Sequence, residues 1–497
     1  MGVVFRQSIK TTIVTFLGAA LGGILILISS NTMPEQELGF VRNLPIQGAL
    51  ASFFLTAGMG NTLFYYLHRY DHQQDHERKS VLLSLCFLVP VLLFFLAAIP
   101  YFLLQDVWMG YFQKKDIALL RRYIVCFPLF TLFSIVIVCL EAFLNAHIKT
   151  AQVGFVREVF IKGSNLVLFL LFGFSLINFN VFVYAYVAVN LMALCILYFM
   201  VGKLPDFRFS FNWGLLSRRE YREIFTFSGF HALVSVSTLL IGFLDTQMLL
   251  GLDENGLNAI PVYTNAVYIA TLISIPYRAM TAPAATDLSK AYVQQLHDKV
   301  TDSYSRSGIN IFIASVFMYV LILCNLHNAA AILPKMQGDI IILTLIMISG
   351  RLIDCSTGLN DIALNMSPYY KFNFYLSLGL VALMFVAFWL LIPPFGVYGA
   401  AFVYSGSLLV FNVVKTYLVW TKMRLHPFSK GTLTTLLIGA AVAVPVLLLP
   451  HSGNTYWDVV WRSTLITIGF AGLVLWLKPS KDVSHYVNEV LKKKKLF

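Results

Sequence analysis

The sequence predicts an all-α polytopic membrane protein with about 14 transmembrane helices. The first observation is composition, because 58% of the 497 residues are hydrophobic and only 12% are charged, whereas roughly a quarter of the residues in a soluble chain are charged. The second is that the apolar residues form unbroken runs of the ~20 residues that a helix needs to cross a bilayer. A membrane β-barrel would instead require alternating segments of about ten residues.

The predicted transmembrane segments are separated by short polar connections, and each is long enough for one membrane-spanning helix. An even number of spans places both termini on one side, and most of the 36 Lys and Arg residues fall on that side. The positive-inside rule therefore predicts that both termini are cytoplasmic. The segments lie near residues 8–30, 41–67, 81–105, 120–147, 152–176, 179–202, 223–250, 259–286, 306–326, 338–363, 370–393, 396–420, 431–450 and 458–477.

A weak internal repeat predicts the domain organisation. "LEAFLNA" from Leu140 aligns with "NDIALNM" from Asn360 and pairs Glu141 with Asp361. Lobes with an even number of helices enter the membrane in the same sense, so they would be parallel repeats. The predicted parts are an N-terminal six-helix lobe (1–203), a cytoplasmic amphipathic linker (204–222), a C-terminal six-helix lobe (223–425), and helices 13 and 14 with a basic cytoplasmic tail (426–497).

The tail "SKDVSHYVNEVLKKKKLF" has the pattern of a helix that lies on the membrane surface. Val483, Val487 and Val490 recur at helical spacing beside Lys492 to Lys495. Apolar residues on one side and lysines beside them favour binding to anionic lipids. We read the net charge of +12 mainly as an orientation signal, and not as a nucleic-acid-binding surface.

Charged residues inside the apolar segments are the candidate functional residues, because each costs about 2.5–3.5 kcal/mol on insertion scales. In a continuous tenth helix, Asp354, Gly358, Asp361 and Asn365 would share one face. That face would be a polar track for a proton or cation, or else an Arg351–Asp354 pair with polar contacts between helices. The candidates are Glu141 in helix four, Asp245 in helix seven, Arg278 in helix eight, and Arg351, Asp354 and Asp361 in helix ten.

Arg278 has the most informative surroundings, because it lies between Pro276 and Pro283 in "SIPYRAMTAPAATDLSKAY". Each proline removes a backbone donor, so the helix is predicted to kink or open there. Irregular backbone at membrane depth is tolerated where it lines a cavity. Asp245 on the preceding helix is the predicted counter-charge, and the alternative is a buried Asp245–Arg278 pair that only joins two helices.

Motifs for catalysis and metal binding are missing from the sequence. It contains no Walker loop, GxSxG or HExxH motif, so we expect neither an enzyme nor a catalytic residue. His68, His72 and His76 have the spacing of metal ligands, but they lie among charged residues, which favours a hydrated helix end over a metal site. The six cysteines fall inside predicted spans and predict neither a disulfide framework nor a metal site.

Two segments carry a resemblance to a known family. "FSGFHALVSVSTLLIGFLDTQMLLGL" and "AIPVYTNAVYIATLISIPYRAMTAPAATDLSKAY" resemble helices seven and eight of a polysaccharide (O-antigen or capsule-type) flippase branch. That branch belongs to the multidrug/oligosaccharidyl-lipid/polysaccharide exporter superfamily. "PPFGVYGAAFVY" resembles the start of its helix twelve. The corresponding start of helix six, "NFNVFVYAYVAV", departs from the family's Gly-Ala-Ala pattern.

The resemblance implies two six-helix bundles in a V around a central cavity, with two extra helices. It also implies alternating access that flips an undecaprenyl-pyrophosphate-linked oligosaccharide to the outer leaflet of the bacterial cytoplasmic membrane. The cargo and other polysaccharide-assembly proteins would be the partners. No cofactor is expected beyond a coupling ion, either a proton or Na⁺.

The chemistry of the implied cargo indicates which basic residues would contact its pyrophosphate. Because arginine is always charged and can contact a phosphate with two hydrogen bonds, Arg278 is the first predicted contact for the pyrophosphate. Arg42, near the outer end of helix two, and Arg6 and Lys10, at the cytoplasmic end of helix one, are further predicted contacts. Asp245 would either modulate Arg278 or carry the coupling cation.

Three alternatives compete with this hypothesis. The lipid II flippase branch also has fourteen helices and an arginine-rich cavity. A cation-coupled drug antiporter of the same superfamily typically has an essential acid in helix one, which "TTIVTFLGAALGGILILI" lacks. A membrane-embedded glycan polymerase or ligase usually needs a large external loop, and the longest predicted one, near residues 106–119, is short.

Overall fold

The computed structural model describes residues 3–147, 149–294, 296–333, 337–367 and 369–485. These residues form α-helices joined by short turns, and no strand occurs among them, which confirms the predicted all-α class. The helices are α1 Val3–Thr32, α2 Glu35–Thr56, α3 Met59–His72, α4 His76–Leu103, α5 Gln105–Met109, α6 Lys114–Arg122, α7 Cys126–Ala146, α8 Thr150–Gly154, α9 Lys162–Gly173, α10 Phe179–Gly202, α11 Arg218–Leu252, α12 Ala259–Thr271, α13 Ile275–Val293, α14 His297–Cys324, α15 Leu326–Ile332, α16 Gln337–Ser356, α17 Asn360–Met366, α18 Tyr370–Met423, α19 Lys430–Leu448 and α20 Thr455–Leu477.

Every predicted transmembrane segment contains at least one α-helix. Within the described residues, nine helices are long and apolar enough to cross a membrane, so the chain is a multi-pass membrane protein. The longest helix, α18, covers two predicted segments. Between them, the backbone leaves helical geometry at Gly396 (φ 55°, ψ −133°). Pro393 and Pro394 precede that bend, and together these residues divide α18 into two spans.

The contacts within the chain divide it into two compact units. The first ends at Pro261 and the second begins at Val262. α11 belongs to the first unit, where it packs against α2 and α3. The second unit is built around α14, which packs against α13, α16 and α19. The predicted division into six-helix lobes at 204–222 is a statement about duplication, and it stays a prediction.

The core of the first unit continues into the segment that precedes α11. Phe207 packs its ring against Phe87 and Phe143, and Leu216 is only 4% exposed within the same apolar cluster. The Leu216 side chain is therefore covered by protein. Ser217 and Glu220 then start α11 with a reciprocal capping box, which satisfies two of the backbone donors that a helix start leaves unpaired.

A buried lysine ties this segment to α4. The Lys79 side chain is 3% exposed, and its Nζ lies 2.7 Å from Asp206 Oδ2. His147 Nε2, at the end of α7, is 3.4 Å from the same oxygen. The hydrogen bond from Lys79 lowers the pKa of Asp206 below its ordinary value, and the contact with His147 acts in the same direction. The carboxylate thus joins three parts of the first unit.

The last two helices carry a buried charge pair that the sequence reading did not include. Asp458 and Arg462 on α20 are 0% and 1% exposed. Arg462 Nε donates to Asp458 Oδ2 at 2.8 Å, while its other nitrogens donate to the carbonyls of Val446, Leu449 and Pro450 at 2.7–3.0 Å. Asn328 of α15 also donates to Asp458, at 2.9 Å. Because the pair is fully hydrogen-bonded, it holds α20 to the end of α19 and to α15.

The first residues of the predicted surface tail are helical up to His485 and dock on α14. Lys481 Nζ is 2.7 Å from Asp302 Oδ1, and Asp482 accepts from Arg306 and Asn310. Val483 packs against the apolar cluster of α14, α19 and α20. Val487, Val490 and Lys492 to Lys495 lie outside the described residues, so lipid binding by the tail stays a prediction.

The Lys79–Asp206 contact makes a prediction about stability. Asp206→Asn removes the carboxylate that accepts a hydrogen bond from the buried Lys79 ammonium, so we expect a loss of about 1.5–3 kcal/mol in the free energy of unfolding. Since the pKa of Asp206 is lowered in the folded protein, its contribution is complete above the ordinary aspartate pKa of about 3.9 and is lost as pH falls through the lowered value. Thermal unfolding of both proteins in detergent from pH 7 to pH 3 measures the difference.

The control is Asp302→Asn, which removes the partner of the exposed Lys481. An exposed pair contributes about 0–1 kcal/mol, so this variant should melt close to the wild type. Equal melting of the Asp206→Asn and Asp302→Asn proteins at neutral pH would contradict the assigned role of Asp206.

Candidate functional site

Arg42 lies on α2, and its side chain contacts the C-terminal end of α1. Its guanidinium donates to the carbonyl of Pro261 at 3.0 Å and to the hydroxyls of Ser29 and Ser30 at 3.0 and 3.1 Å. These three contacts fix the position of the side chain. Arg42 is thus a positioned cation in the first unit.

Asp245, on α11 in the same unit, is only 2% exposed. The backbone N–H and the hydroxyl of Thr246 donate to its Oδ1 at 2.6 and 3.2 Å. Two residues further, Gln247 Nε2 donates to Asn43 Oδ1 of α2 at 2.9 Å. Asp245 therefore lies buried beside a polar contact between α2 and α11. Arg278 belongs to the second unit, and its predicted pairing with Asp245 stays a prediction.

The second predicted transmembrane segment is broken. α2 ends at Thr56, Ala57 and Gly58 adopt left-handed backbone conformations (φ 47° and 74°), and α3 begins at Met59. A side chain at Gly58 would approach the carbonyl oxygen of Ser228 to 2.2 Å, so glycine is required there both for its backbone angle and for space. The hydroxyl of Ser228 donates to the carbonyl of Ala57 at 2.5 Å, which satisfies an acceptor that the break releases.

This break adjoins a cavity of about 430 Å³ between α2, α3 and α7. Glu141 and Asn145 of α7 line one side of it, and Asn61 of α3 lines another. The predicted candidate Glu141 therefore lies at a cavity. Asn61 and Asn145 were not predicted as site residues, although each is an amide inside an apolar segment.

Glu141 is neutralised by an arginine that the sequence reading left out. Arg157 contacts both carboxylate oxygens, with Nε and Nη2 each 2.8 Å from an oxygen. Arg157 lies in a π-helical turn, Phe155–Ile161, between α8 and α9. Such turns re-aim the side chains that follow an inserted residue. Glu158 in the same turn pairs with Lys162 at 2.6 Å.

Arg278 lies in the first turn of α13 in the second unit. A 3-10 turn, Leu272–Ser274, separates α12 from α13, and Pro276 follows as the second residue of α13. The predicted interruption of this helix is thereby confirmed, although the backbone is again helical at Pro283. The Arg278 side chain is exposed. An exposed, permanently charged group on a helix of this kind faces water or a ligand more readily than lipid.

The tenth predicted helix is not continuous, which corrects the expectation of one polar face. α16 ends at Ser356, Gly358 has φ 61°, and α17 begins at Asn360. A Cβ atom on Gly358 would lie 3.0 Å from the Cα atom of Gly308 on α14. The close approach and the left-handed backbone both require glycine, and the break separates Asp361 from the face that carries Asp354.

Arg351 and Asp354 form the predicted pair within α16. Arg351 Nη1 lies 3.2 Å from Asp354 Oδ2, and its guanidinium lies 5.2 Å from the ring centre of Tyr404 on α18. Asn412 of α18 donates to the other oxygen of Asp354 at 2.9 Å. The Arg351–Asp354 pair and a polar contact between α16 and α18 are therefore both present.

Asp361 is paired with a lysine that the sequence reading did not select. Lys415 on α18 is 2% exposed, its Nζ lies 2.6 Å from Asp361 Oδ1, and it lies 3.9 Å from the ring centre of Phe411. The signal was available, because Lys415 is a charge inside the twelfth apolar segment. The partner was not, since 54 residues separate the two side chains.

The remaining candidates lie at helix ends. Lys10 on α1 is exposed and lines a second cavity, of about 340 Å³, with apolar residues that include Ile13 and Phe155. The side chains of Arg6, His68 and His72 lie outside the described residues. His76 is exposed. In the part of the chain that the structure describes, no three His, Cys, Asp or Glu residues form a group that could hold a metal ion.

No protein-family model and no curated protein matches this chain. Solved structures do match. The lipid II flippase MurJ in an inward closed conformation is 11% identical, with a TM-score of 0.72 over 95% of this chain and 98% of that chain. The fold is that of transporters of the MOP (multidrug/oligosaccharidyl-lipid/polysaccharide) superfamily. An inward-facing MATE multidrug resistance transporter of this superfamily is 16% identical, with a TM-score of 0.64 over 82% and 94% of the two chains. A mutant of the Vibrio cholerae MATE transporter VcmN is 14% identical, with a TM-score of 0.57 over 85% and 96%.

The contact between Asp361 and Lys415 makes a prediction about the stability of the protein. Asp361→Asn leaves the buried Lys415 ammonium without its carboxylate, and leaving a buried donor unpaired costs about 1–3 kcal/mol. We expect a corresponding fall in the melting temperature of the detergent-purified protein. The double variant Asp361→Asn with Lys415→Met should recover most of the loss, because it removes the buried charge as well.

Lys481→Met is the matched control, since Lys481 is 78% exposed and should contribute about 0–1 kcal/mol. Additive losses in the Asp361/Lys415 double variant would show that the two side chains do not stabilise the fold as a pair.

Proposed function

We propose that this chain is a transporter that flips an undecaprenyl-pyrophosphate-linked oligosaccharide from the cytoplasmic to the outer leaflet of the bacterial cytoplasmic membrane. The observation that carries the proposal is the exposure of Arg278 directly after the 3-10 turn in an apolar helix. A pyrophosphate is the group that most needs such a cation while it crosses hydrocarbon. A guanidinium can donate two parallel hydrogen bonds to it and keeps its charge at any physiological pH.

The environment of Arg42 supports the same class of cargo. Hydrogen bonds to the carbonyl of Pro261 and to two serine hydroxyls hold its guanidinium in the first unit, and a guanidinium is a suitable group to contact a pyrophosphate. Arg6 and Lys10 are further proposed contacts for the headgroup. Asp245 is the proposed site of the coupling ion, a proton or Na⁺, or the residue that modulates Arg278. Other polysaccharide-assembly proteins are proposed partners, and we propose no enzymatic activity.

Lipid II flipping is the second candidate, favoured by the similarity to MurJ over nearly the full length of both chains. Both candidates move a polyprenyl-pyrophosphate glycan, so Arg278 has the same role in each. A cation-coupled drug antiporter is less well supported. Glu141 and Asp361 are each paired with a basic residue of the chain itself, and no acidic residue lies between Val3 and Thr32 on α1.

The test is a strain that lacks this protein. We expect the lipid-linked oligosaccharide to accumulate on the cytoplasmic leaflet while surface polysaccharide is lost. Normal surface polysaccharide combined with drug hypersensitivity would overturn the proposal in favour of the antiporter. Accumulation of lipid II with arrested wall synthesis would assign the second candidate.

Arg278→Ala should abolish complementation in that strain, because a hydrogen-bonded contact with a charged group contributes about 1.5–3 kcal/mol, which is roughly a tenfold to hundredfold change in affinity. Arg278→Lys keeps the charge but loses the two-point geometry, and it should complement partially. Arg306→Ala, at an exposed pair on α14, is the control and should complement fully. Full complementation by Arg278→Ala, with the protein present in the membrane, would refute the role of Arg278.

A further inference from the structure

The cavity beside the broken second segment has the dimensions and wall chemistry of a binding site. Its volume of about 430 Å³ falls within the ~300–1,000 Å³ that small-molecule sites occupy. The break at Ala57 and Gly58 shapes one wall, and α7 supplies the other. The walls include the polar side chains of Asn61, Glu141 and Asn145 and the aromatic rings of Phe53 and Phe64.

The polar groups on the walls can both donate and accept hydrogen bonds. Asn61 and Asn145 each carry an amide with two donors and an acceptor, and the Glu141 carboxylate has about four acceptor positions. Arg157 uses one position on each oxygen of Glu141, which leaves others for a ligand. A ligand that matches this set carries several groups that donate and accept at once, as hydroxyls do.

The charge of the cavity argues against a cationic ligand. Glu141 is contacted by the Arg157 guanidinium at 2.8 Å through both of its oxygens, so the pair is neutral. A drug cation or a metal ion would gain little net attraction there, and it would have to displace Arg157 from a carboxylate that is only 5% exposed. A neutral, hydroxyl-rich ligand faces no such cost.

The aromatic residues supply the remaining element of the match. Phe53 and Phe64 lie on the walls contributed by α2 and α3. The C–H face of a pyranose ring packs against an aromatic ring, while its hydroxyls point to the sides. We infer that this cavity binds a sugar ring of the transported glycan through Asn61, Glu141 and Asn145, with an aromatic wall beside the ring. The inference rests on the proposed function and adds a sugar site to it.

Two variants test the site in different ways. Asn145→Ala removes an amide from the wall, and Ala142→Leu fills space, because Ala142 lines the same cavity from α7. Glu158→Gln is the matched control, since Glu158 pairs with Lys162 near Glu141 in the chain but is not on the cavity wall. Melting temperatures of all three proteins identify any variant that loses its fold.

The probes are farnesyl pyrophosphate and the same lipid carrying one sugar on its pyrophosphate, either glucose, galactose or N-acetylglucosamine. Equilibrium binding to the wild-type protein in lipid nanodiscs gives a Kd for each. We expect at least one sugar-bearing probe to bind about tenfold more tightly than farnesyl pyrophosphate. Asn145→Ala and Ala142→Leu should each remove that gain about fivefold or more while leaving the Kd for farnesyl pyrophosphate unchanged, and Glu158→Gln should keep the gain.

The outcomes separate the two proposals. If farnesyl pyrophosphate binds and no sugar-bearing probe binds more tightly, or if the gain survives in both folded variants, the sugar site is refuted and the flippase proposal stands. If the wild-type protein binds none of the probes, the proposed function fails and the sugar site fails with it. Arg278→Ala should weaken binding of every probe by a similar factor, because the pyrophosphate is common to all of them.

Discussion

The requirement that every buried charge and every backbone polar group find a partner inside the protein governs this structure, because hydrocarbon offers none. Glu141 is held by Arg157, Asp361 by Lys415 and Asp458 by Arg462. The first two pairs join different helices, so the charges act as clamps within each unit. Burying these charges costs free energy, and each pair fixes the position of the segments that it joins.

The same requirement explains how the helices can break. The carbonyl of Ala57 accepts a hydrogen bond from the hydroxyl of Ser228. The break at Gly358 lies against Gly308 of α14, where the two backbones come close together. The break beside Arg278 could be predicted, since two prolines flank that residue. The break at Gly58 could not, because a single glycine in an apolar segment is compatible with a continuous helix and only the packing of α11 decides.

Local features of the site were accessible from sequence and distant ones were not. The helical segments followed from long apolar runs, and the Arg351–Asp354 pair followed from a three-residue spacing that brings side chains together on any helix. The partners of Glu141 and Asp361 depend on which helices pack together, and no spacing encodes that. Arg157 and Lys415 are themselves charges inside apolar segments, so the sequence offers them as candidates but does not indicate which acid each one pairs with.

In the proposed transporter, these pairings bear on how transport could be coupled to an ion. Glu141 and Asp361 occupy matching positions of the predicted internal repeat. Glu141 is bound by Arg157 in the π-helical turn between α8 and α9, and Asp361 is bound by Lys415 of α18. A proton or Na⁺ that acted at either carboxylate would have to displace a basic side chain from a charge-assisted hydrogen bond, which contributes about 1.5–3 kcal/mol. Ion coupling at these positions would therefore work by exchange with Arg157 or Lys415, so that ion binding itself releases a clamp within one unit.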